Sequence, residues 1–216
     1  MSKGAATRQT ILDHAVREAA QVGLRGITIG SLAGNLGLSK SGLFAHFASK
    51  GELDAQVIDH AAEQFTERVV RTALRAPRGE PRVRALIESW LTWVDADDDG
   101  RACVFVAAAA ELDDQPGPAR DRLVSQQRDW LDLIASVARV AIAEGHFRAD
   151  LDTDQLAIEL LGVMLAYHHA SRLLGDPRAA ERARRACARL FDDARANSKS
   201  TPVALRRRPS STRSRR

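Results

Sequence analysis

The sequence predicts an all-α protein of about nine helices, with an N-terminal three-helix head and a larger helical body behind it. Three observations carry this. Apolar residues recur at three- and four-residue spacing along most of the 216-residue chain. The seven prolines, at 77, 81, 116, 118, 177, 202 and 209, stand only where one helix would end, the next begin, or no helix would form. Runs with the β-branched and aromatic alternation of strands are few.

Taken in order, the first helix is predicted from Thr7 to Val22. Ile11, Leu12, Ala15, Val16 and Ala19 form its apolar stripe and Gly23 its C-terminal cap. Thr28 then caps a short helix through Asn35, which Gly37 breaks. Ser39 caps another that ends near Phe47. Ser49-Lys50-Gly51-Glu52 fits a capping box and starts a long helix to about Arg75. Further helices are predicted near 81–95, 101–112, 118–144, 153–174 and 177–196. Asp95 to Gly100 and Gln115 to Pro118 serve as breaks between them. Residues 198–216, rich in Ser, Pro and Arg with little to bury, are predicted to be a disordered basic tail.

Composition narrows the function. A hydrophobic fraction of 44% allows a real core and 28% charged residues suit a soluble protein. No apolar run approaches the ~20 residues that span a bilayer, and the polar stretch Met1 to Thr10 does not resemble a secretory signal. The expectation is a cytoplasmic protein without a membrane role. Cys103 and Cys187 lie far apart; a disulfide between them is allowed, but nothing in the sequence requires one. The net charge of +4 is unevenly spread: residues 1–52 carry +3 and residues 199–216 carry +7, which leaves −6 on the stretch between. A polyanion is therefore expected to be met at the ends of the chain, unless the tail is merely solvated.

Several patterns lead nowhere. Asp95-Ala96-Asp97-Asp98-Asp99-Gly100 begins like a calcium loop, but the twelfth position, where a bidentate glutamate belongs, is Val106. It reads better as a solvated acidic turn. His168 and His169 are neighbours on a helix, pointing about 100° apart, and cannot chelate one metal. Glycine-rich phosphate loops, a nucleophile elbow and zinc-protease spacing are absent from the sequence. No catalytic residue, metal ligand or cofactor is assigned.

The informative segment runs from Thr28 to Phe47, TIGSLAGNLGLSKSGLFAHF. Two short helices meet at a tight turn centred on Gly37, locked by Ile29, Leu32, Ala33, Leu36, Leu38, Leu43 and Phe47. That is a helix-turn-helix, whose second helix enters the major groove of DNA. Its exposed face would offer Lys40, Ser41, Gly42, Phe44 and His46. Small groups let the backbone approach, and Lys40 can reach a guanine edge or a phosphate. Ser39 at the helix N-terminus can hold a phosphate, and Thr28 and Lys50 stand where they could clamp phosphates on either side. Lysine occurs only at 3, 40, 50 and 199, so two of the four fall in or beside this helix.

The pattern G-x-x-x-x-T-I-x-x-L-A-x-x-L-G-L-S-K-S-G-L-F-x-H-F-x-S-K from Gly23 resembles the N-terminal domain of the TetR family, over Ala5 to about Ala62. The resemblance implies that Lys40, Ser41, Gly42, Phe44 and His46 face DNA and that Lys50 contacts phosphate. Phe44 stands where the family usually has tyrosine, which removes a hydroxyl donor but leaves a ring for a thymine methyl. It also implies a DNA-binding domain over 5–65, a ligand-binding and dimerisation domain over 66–197, and a four-helix interface from the last two helices.

The residues of the body permit this. Helix 153–174 is apolar on more than one face, and helix 177–196 carries a small-residue stripe of Ala179, Ala183, Ala186, Cys187, Leu190, Phe191 and Ala194. A homodimer interface or a bundle within one chain would each explain that stripe. Phe65, Trp90, Trp93, Phe105, Trp130, Tyr167 and His168 are candidates for an apolar or aromatic ligand site, and equally for core. Trp90 and Trp93, three apart, are expected to share one wall. The helix from Lys50 would be a strut of roughly 39 Å at ~1.5 Å per residue, joining pocket to reading helix.

Three readings remain open on sequence alone: a homodimeric repressor released from a pseudo-palindromic operator by a small molecule, a DNA-binding regulator worked by a protein partner, or an enzyme with an appended DNA-binding head. A cavity of several hundred Å3 lined by the aromatics would favour the first over the second.

Overall fold

The computed structural model describes residues 3–95 and 103–195. The basic tail and the acidic turn beyond Asp95, with Lys199, lie outside the described residues. Within them the chain forms nine helices. These are α1 (Lys3–Gly26), α2 (Ile29–Asn35), α3 (Lys40–Phe44), α4 (Lys50–Phe65), α5 (Glu80–Asp95), α6 (Val104–Leu112), α7 (Pro118–Ala143), α8 (Thr153–His168) and α9 (Ala179–Arg195). Two helices run on through π-helical turns: α4 through Thr66–Val70 to Arg71–Ala73, and α8 through His169–Leu173. None of the described helices is long and apolar enough to cross a membrane.

The head is held by apolar burial. Ile11 and Ala15 of α1, Leu32 of α2, Leu43 of α3, Phe47 and Leu53 of α4 are all buried. Thr28 and Ser31 make a reciprocal cap at the start of α2, Thr28 Oγ1 accepting the Ser31 N–H at 2.9 Å and Ser31 Oγ the Thr28 N–H at 3.0 Å. Gly37, with φ 65°, turns the chain between α2 and α3, where the Leu38 N–H donates to the Ala33 carbonyl at 2.8 Å. His60 is buried on α4 and bonds Asp13 of α1 at 2.7 Å and Gln64 at 2.9 Å, so a polar bridge supplements the apolar contact of those two helices.

Local expectations needed three corrections. Ser49 Oγ accepts the Glu52 N–H at 3.1 Å, but the Glu52 carboxylate accepts from Gln56 instead of turning back, so only half the capping box forms. Helix α3 ends at Phe44, with Ala45 to Phe47 in a tighter turn that places Phe47 in the core. Gly23 does not end α1. The chain kinks there (φ 78°, ψ 167°) and helical bonding resumes to Gly26, which brings Leu24 and Ile27 into the head core.

In the body, α4 packs along α7, α7 against α8, and α8 against α9, while α5 crosses the end of α4 and α6 lies between α1 and α7. Ala179, Ala183, Cys187, Phe191 and Ala194 of α9 are buried within the protomer. Phe191 stacks on Phe147 at 6.3 Å and lies under the Arg84 guanidinium at 4.4 Å. Five of the seven residues of the small-residue stripe are thus buried in the protomer's own core, while Ala186 and Leu190 are half-buried. Cys103 and Cys187 are buried free thiols, not a disulfide, and burial pushes both up to about 11.

Gly23 lies in a backbone region open essentially only to glycine, and an added Cβ would also press on the Glu111 carboxylate. Gly23→Ala is expected to destabilise the protein by roughly 1–3 kcal/mol, read by denaturant titration. An unchanged midpoint would show that the kink relaxes freely.

Candidate functional site

The reading head presents one exposed surface. Thr28, Lys40, Ser41 and Phe44 are exposed, Phe44 to 51% although it is one of the two largest apolar side chains of the helix-turn-helix, while Gly42 and His46 are half-buried. A large ring left in water on a helix whose other face is packed marks a contact surface. Lys40 makes no ion pair among the described residues, and its stem runs beside Gly30, where a Cβ would lie 3.4 Å from Lys40 Cε. Ser39 caps α3, its Oγ accepting the Gly42 N–H at 3.0 Å. A Cβ at Gly42 would come within 3.1 Å of that oxygen, so Gly42 serves the cap as well as the open face.

Lys50 does more than wait for a phosphate. Its ammonium donates to the Leu24 carbonyl at 2.9 Å and pairs with Asp54. It thereby satisfies a carbonyl near the end of α1, as lysines near helix C-termini do. Burial pushes the Asp54 carboxyl upward against the pull of that lysine. On the other side of the same turn, Glu111 of α6 accepts the Arg25 N–H at 3.1 Å and sits over Gly23. The last turn of α1 is thus clasped between α4 and α6.

Behind that clasp lies the aromatic centre of the body. Phe65 meets Trp93, Phe105 and Trp130 edge-on at 5.2, 5.8 and 4.9 Å. Phe65, Trp90, Phe105 and Trp130 line a partly open chamber of about 120 Å3, bordered by Leu161, Met164 and the exposed Leu165 of α8 and by Gln126 and Gln127 of α7. A cleft of about 290 Å3 adjoins it on the α4–α7 side, with Phe65, Gln126 and Trp130 shared between the two. Arg122, Asp59, Ser125 and Asp129 furnish its polar rim. The chamber is smaller than the several hundred Å3 expected.

Sequence comparison decides the family. A model described as bacterial regulatory proteins, tetR family, matches residues 11–57, and one for the tetracyclin repressor-like C-terminal domain matches residues 79–187, half of the chain. The chain belongs to the TetR family of transcriptional regulators. It is a DNA-binding regulator, and the family is not one of enzymes. The HTH-type transcriptional repressor KstR2 of Mycobacterium tuberculosis is 28% identical over 153 residues, covering 68% of this chain and 72% of that protein. A TetR regulator from Chloroflexus aurantiacus superposes with a TM-score of 0.78 at 25% identity, covering 89% of this chain and 96% of that one. The structure of AibR in complex with isovaleryl coenzyme A and operator DNA has a TM-score of 0.69 at 20% identity, covering 85% and 97%.

In this TetR-family body the seven expected pocket residues divide. Phe65, Trp90, Phe105 and Trp130 meet at the chamber, whereas Trp93, Tyr167 and His168 do not line it. Trp93 packs on Phe65 and Phe105 and turns its free side to a separate surface groove with Arg68 and Glu88, because a three-residue step on α5 rotates it away from Trp90. Tyr167 lies under Trp90 at 5.9 Å and commits its hydroxyl to Asp95. Burial, then the Asp95 carboxylate, raises that phenol well above its usual range. His168 is half-buried with Nε2 unpartnered, and burial, then Arg172 and His169, lowers its affinity for a proton. Glu111, Gln126, Gln127 and Arg122 were missed by sequence reasoning. The glutamines stand three and four residues before Trp130, a spacing that would have placed them beside it had α7 been treated as a pocket wall.

Since Lys50 and Gly42 also support local structure, Lys40 gives the cleaner test of DNA contact. Lys40→Ala is expected to change stability by less than about 0.5 kcal/mol, and to weaken DNA binding with a salt slope reduced by about one unit. An unaltered slope in fluorescence-anisotropy titrations would take Lys40 off the DNA.

Proposed function

We propose that the protein is a cytoplasmic homodimeric repressor that holds a pseudo-palindromic operator through α3 and releases it when a small apolar or aromatic molecule enters the body. The observation that carries this is the position of the chamber. Its wall includes Phe105 and Val106 at one end of α6, and Glu111 at the other end of that nine-residue helix clasps α1 of the reading head. A ligand that moves α6 must act on the turn that Glu111 holds. KstR2 and AibR support the reading: the former is described as a ketosteroid transcriptional regulator, and the latter is seen with an acyl thioester and operator DNA.

In this proposal the DNA-binding domain extends over residues 5–65, with Thr28, Ser39, Lys40, Ser41, Gly42, Phe44, His46 and Lys50 at the DNA, and the effector and dimerisation domain over 66–197. The border falls where α4 passes from α-helical bonding into its π-helical turn at Thr66. Such a turn loosens the strut that sequence alone makes uniform, and provides a place for α4 to pivot.

One short reading helix covers too few base pairs for genomic specificity, so two half-sites about one helical turn (roughly 34 Å) or a multiple apart require a dimer. The outer face of α8 suits that role. Ile158, Leu165 and, beyond them, Leu173 are exposed, to 52%, 43% and 71%, in line with the exposed Gly162 and Ala166. The face is apolar and Gly162 permits close backbone approach. Most of the α9 stripe is buried within the protomer, so in this proposal α8 makes the principal contact of the two helices, with α9 at its flank.

A Cβ on Gly162 meets nothing within 4 Å in the protomer. Gly162→Arg is therefore expected to leave helicity and thermal midpoint intact, but to shift sedimentation from dimer to monomer at micromolar concentration and abolish operator binding. A Gly162→Arg protein that stays dimeric would move the interface off this face. For the regulatory reading itself, operator sites mapped across the source genome are titrated with and without candidate effectors. Typical couplings of about 1–3 kcal/mol give a 5- to 150-fold loss of affinity, and effectors that bind without any such loss would defeat it.

A further inference from the structure

Three features of the body bear on what it can bind. The first is the chamber itself, bordered by Leu161 and Met164 of α8 and floored by Phe105. At about 120 Å3 it is a little below the roughly 150 Å3 that admits a benzene ring. It fits a compact group of about four or five carbons, not a fused polycyclic nucleus. The second is the Trp130 indole N–H. The ring is 96% buried by its 4% exposure and lines both chamber and cleft, and Nε1, itself sealed from solvent by its neighbours, has no hydrogen-bond partner among the described residues. The neighbouring Trp90 differs, since it bonds the Cys103 sulfur. A buried donor without an acceptor is unfavourable, and a guest that supplies one is bound the more tightly for it.

The third feature is the charge of the cleft. Its cation, Arg122, is already paired with Asp59 at 3.5 Å, and Asp129 stands unpaired on the same rim. Where the cleft opens outward, Glu63 and Glu67 join Asp59 on the acidic side against Arg71 and Arg122. An anionic group entering there would share Arg122 with Asp59 and face the remaining carboxylates. A neutral or cationic group meets no such opposition.

Resting on the effector reading above, we propose that chamber and cleft are one two-part site for a small carbonyl-bearing amphiphile. Its compact apolar end fills the chamber, its carbonyl oxygen accepts the Trp130 indole N–H once the ring shifts to expose it, and an uncharged or cationic polar end lies in the cleft. Charge thus sets this site apart from one made for a polyanionic carrier such as coenzyme A, although the acyl group of such a thioester matches the chamber.

The test uses the full-length protein and two probes with the same 3-methylbutanoyl group: N-(2-aminoethyl)-3-methylbutanamide, with a cationic end, and N-(3-methylbutanoyl)glycine, with an anionic one. Calorimetry is expected to show the amine binding about tenfold more tightly. In 1H–15N spectra, the Trp130 indole resonance, assigned by its loss in Trp130→Phe, is expected to move downfield on addition of the amine. Trp130→Phe is expected to lower amine affinity about fivefold, while binding of N-(3-methylbutyl)ethane-1,2-diamine, which lacks the carbonyl, is unchanged. Binding with an unmoved Trp130 resonance, a preference for the anionic probe, or no binding of either probe at about 10 mM, weaker than a ligand of this size filling its site should bind, overturns the proposal. Operator titration separates it from the reading it rests on. Amine bound at Trp130 with operator affinity unaltered supports the site and removes the switch, whereas intact operator binding with no probe bound removes the site and leaves the repressor standing.

Discussion

Phe65 is the side chain on which the rest of the body depends. It closes the last ordinary turn of α4, and its ring is met edge-on by Trp93 from α5, Phe105 from α6 and Trp130 from α7. Four helices converge on one residue. Edge-to-face contacts contribute about 0.5–1.5 kcal/mol each beyond the area they bury, so this one ring fixes the mutual orientation of α4 to α7 as well as their separation. It also explains why a cavity survives at the centre. T-shaped aromatics hold their neighbours apart at fixed angles, and α8 can border the opening with Leu161 and Met164 without filling it.

The same residue stands where the DNA-binding head passes into the body. Immediately after it the bonding of α4 slips to the i→i+5 pattern, the Arg71 N–H reaching back to the Thr66 carbonyl. A helix that changes its pitch beside a cavity can respond to what the cavity holds. The head is then gripped by two elements that both touch the chamber, α4 through Lys50 and α6 through Glu111. Leu24 and Arg25 supply one carbonyl and one N–H to these two side chains, and Gly23 supplies the backbone conformation that presents them. Chamber and reading helix are thereby joined through two polar contacts on a single turn, which a shift of either helix would strain.

Most of this architecture was legible in the sequence, for reasons that differ by element. Helix periods and proline positions located all nine helices to within a few residues, because amphipathic burial and the missing proline N–H act locally. The helix-turn-helix was legible for the same reason, being twenty residues that pack mainly on one another. What escaped was set by tertiary contact. The inward direction of the α9 stripe depends on Phe147 and Arg84, which are remote in sequence. The kink at Gly23 depends on Glu111, 88 positions away, and a glycine after an apolar helix reads equally well as a cap or a kink. Among the expected pocket residues the aromatic type was informative and the wall was not. Trp90 and Trp93 share a helix face only to within about 60°, and that difference sends one to the chamber and the other to the surface.

In the proposed effector site, the unpaired indole of Trp130 would link stability to regulation. An unsatisfied buried donor costs on the order of 1–3 kcal/mol, a sizeable share of the 5–15 kcal/mol by which a domain is stable. Phenylalanine there would remove the unpaired donor but leave a smaller ring against Phe65, so packing and polarity pull in opposite directions at this position. The cost is recovered when an acceptor arrives, and the empty protein is thus kept in a state that a guest can improve. Linkage fixes the consequence. If the guest lowers operator affinity, the operator must lower guest affinity by the same factor, and the DNA-bound conformation must be the one in which the chamber or the Trp130 N–H is less available. In the proposed switch, closing α6 toward α7 would do this, because it would narrow the wall at Phe105 while drawing Glu111 along the turn at Gly23. Occupancy of a small cavity and the set of the reading head are then two measures of one displacement.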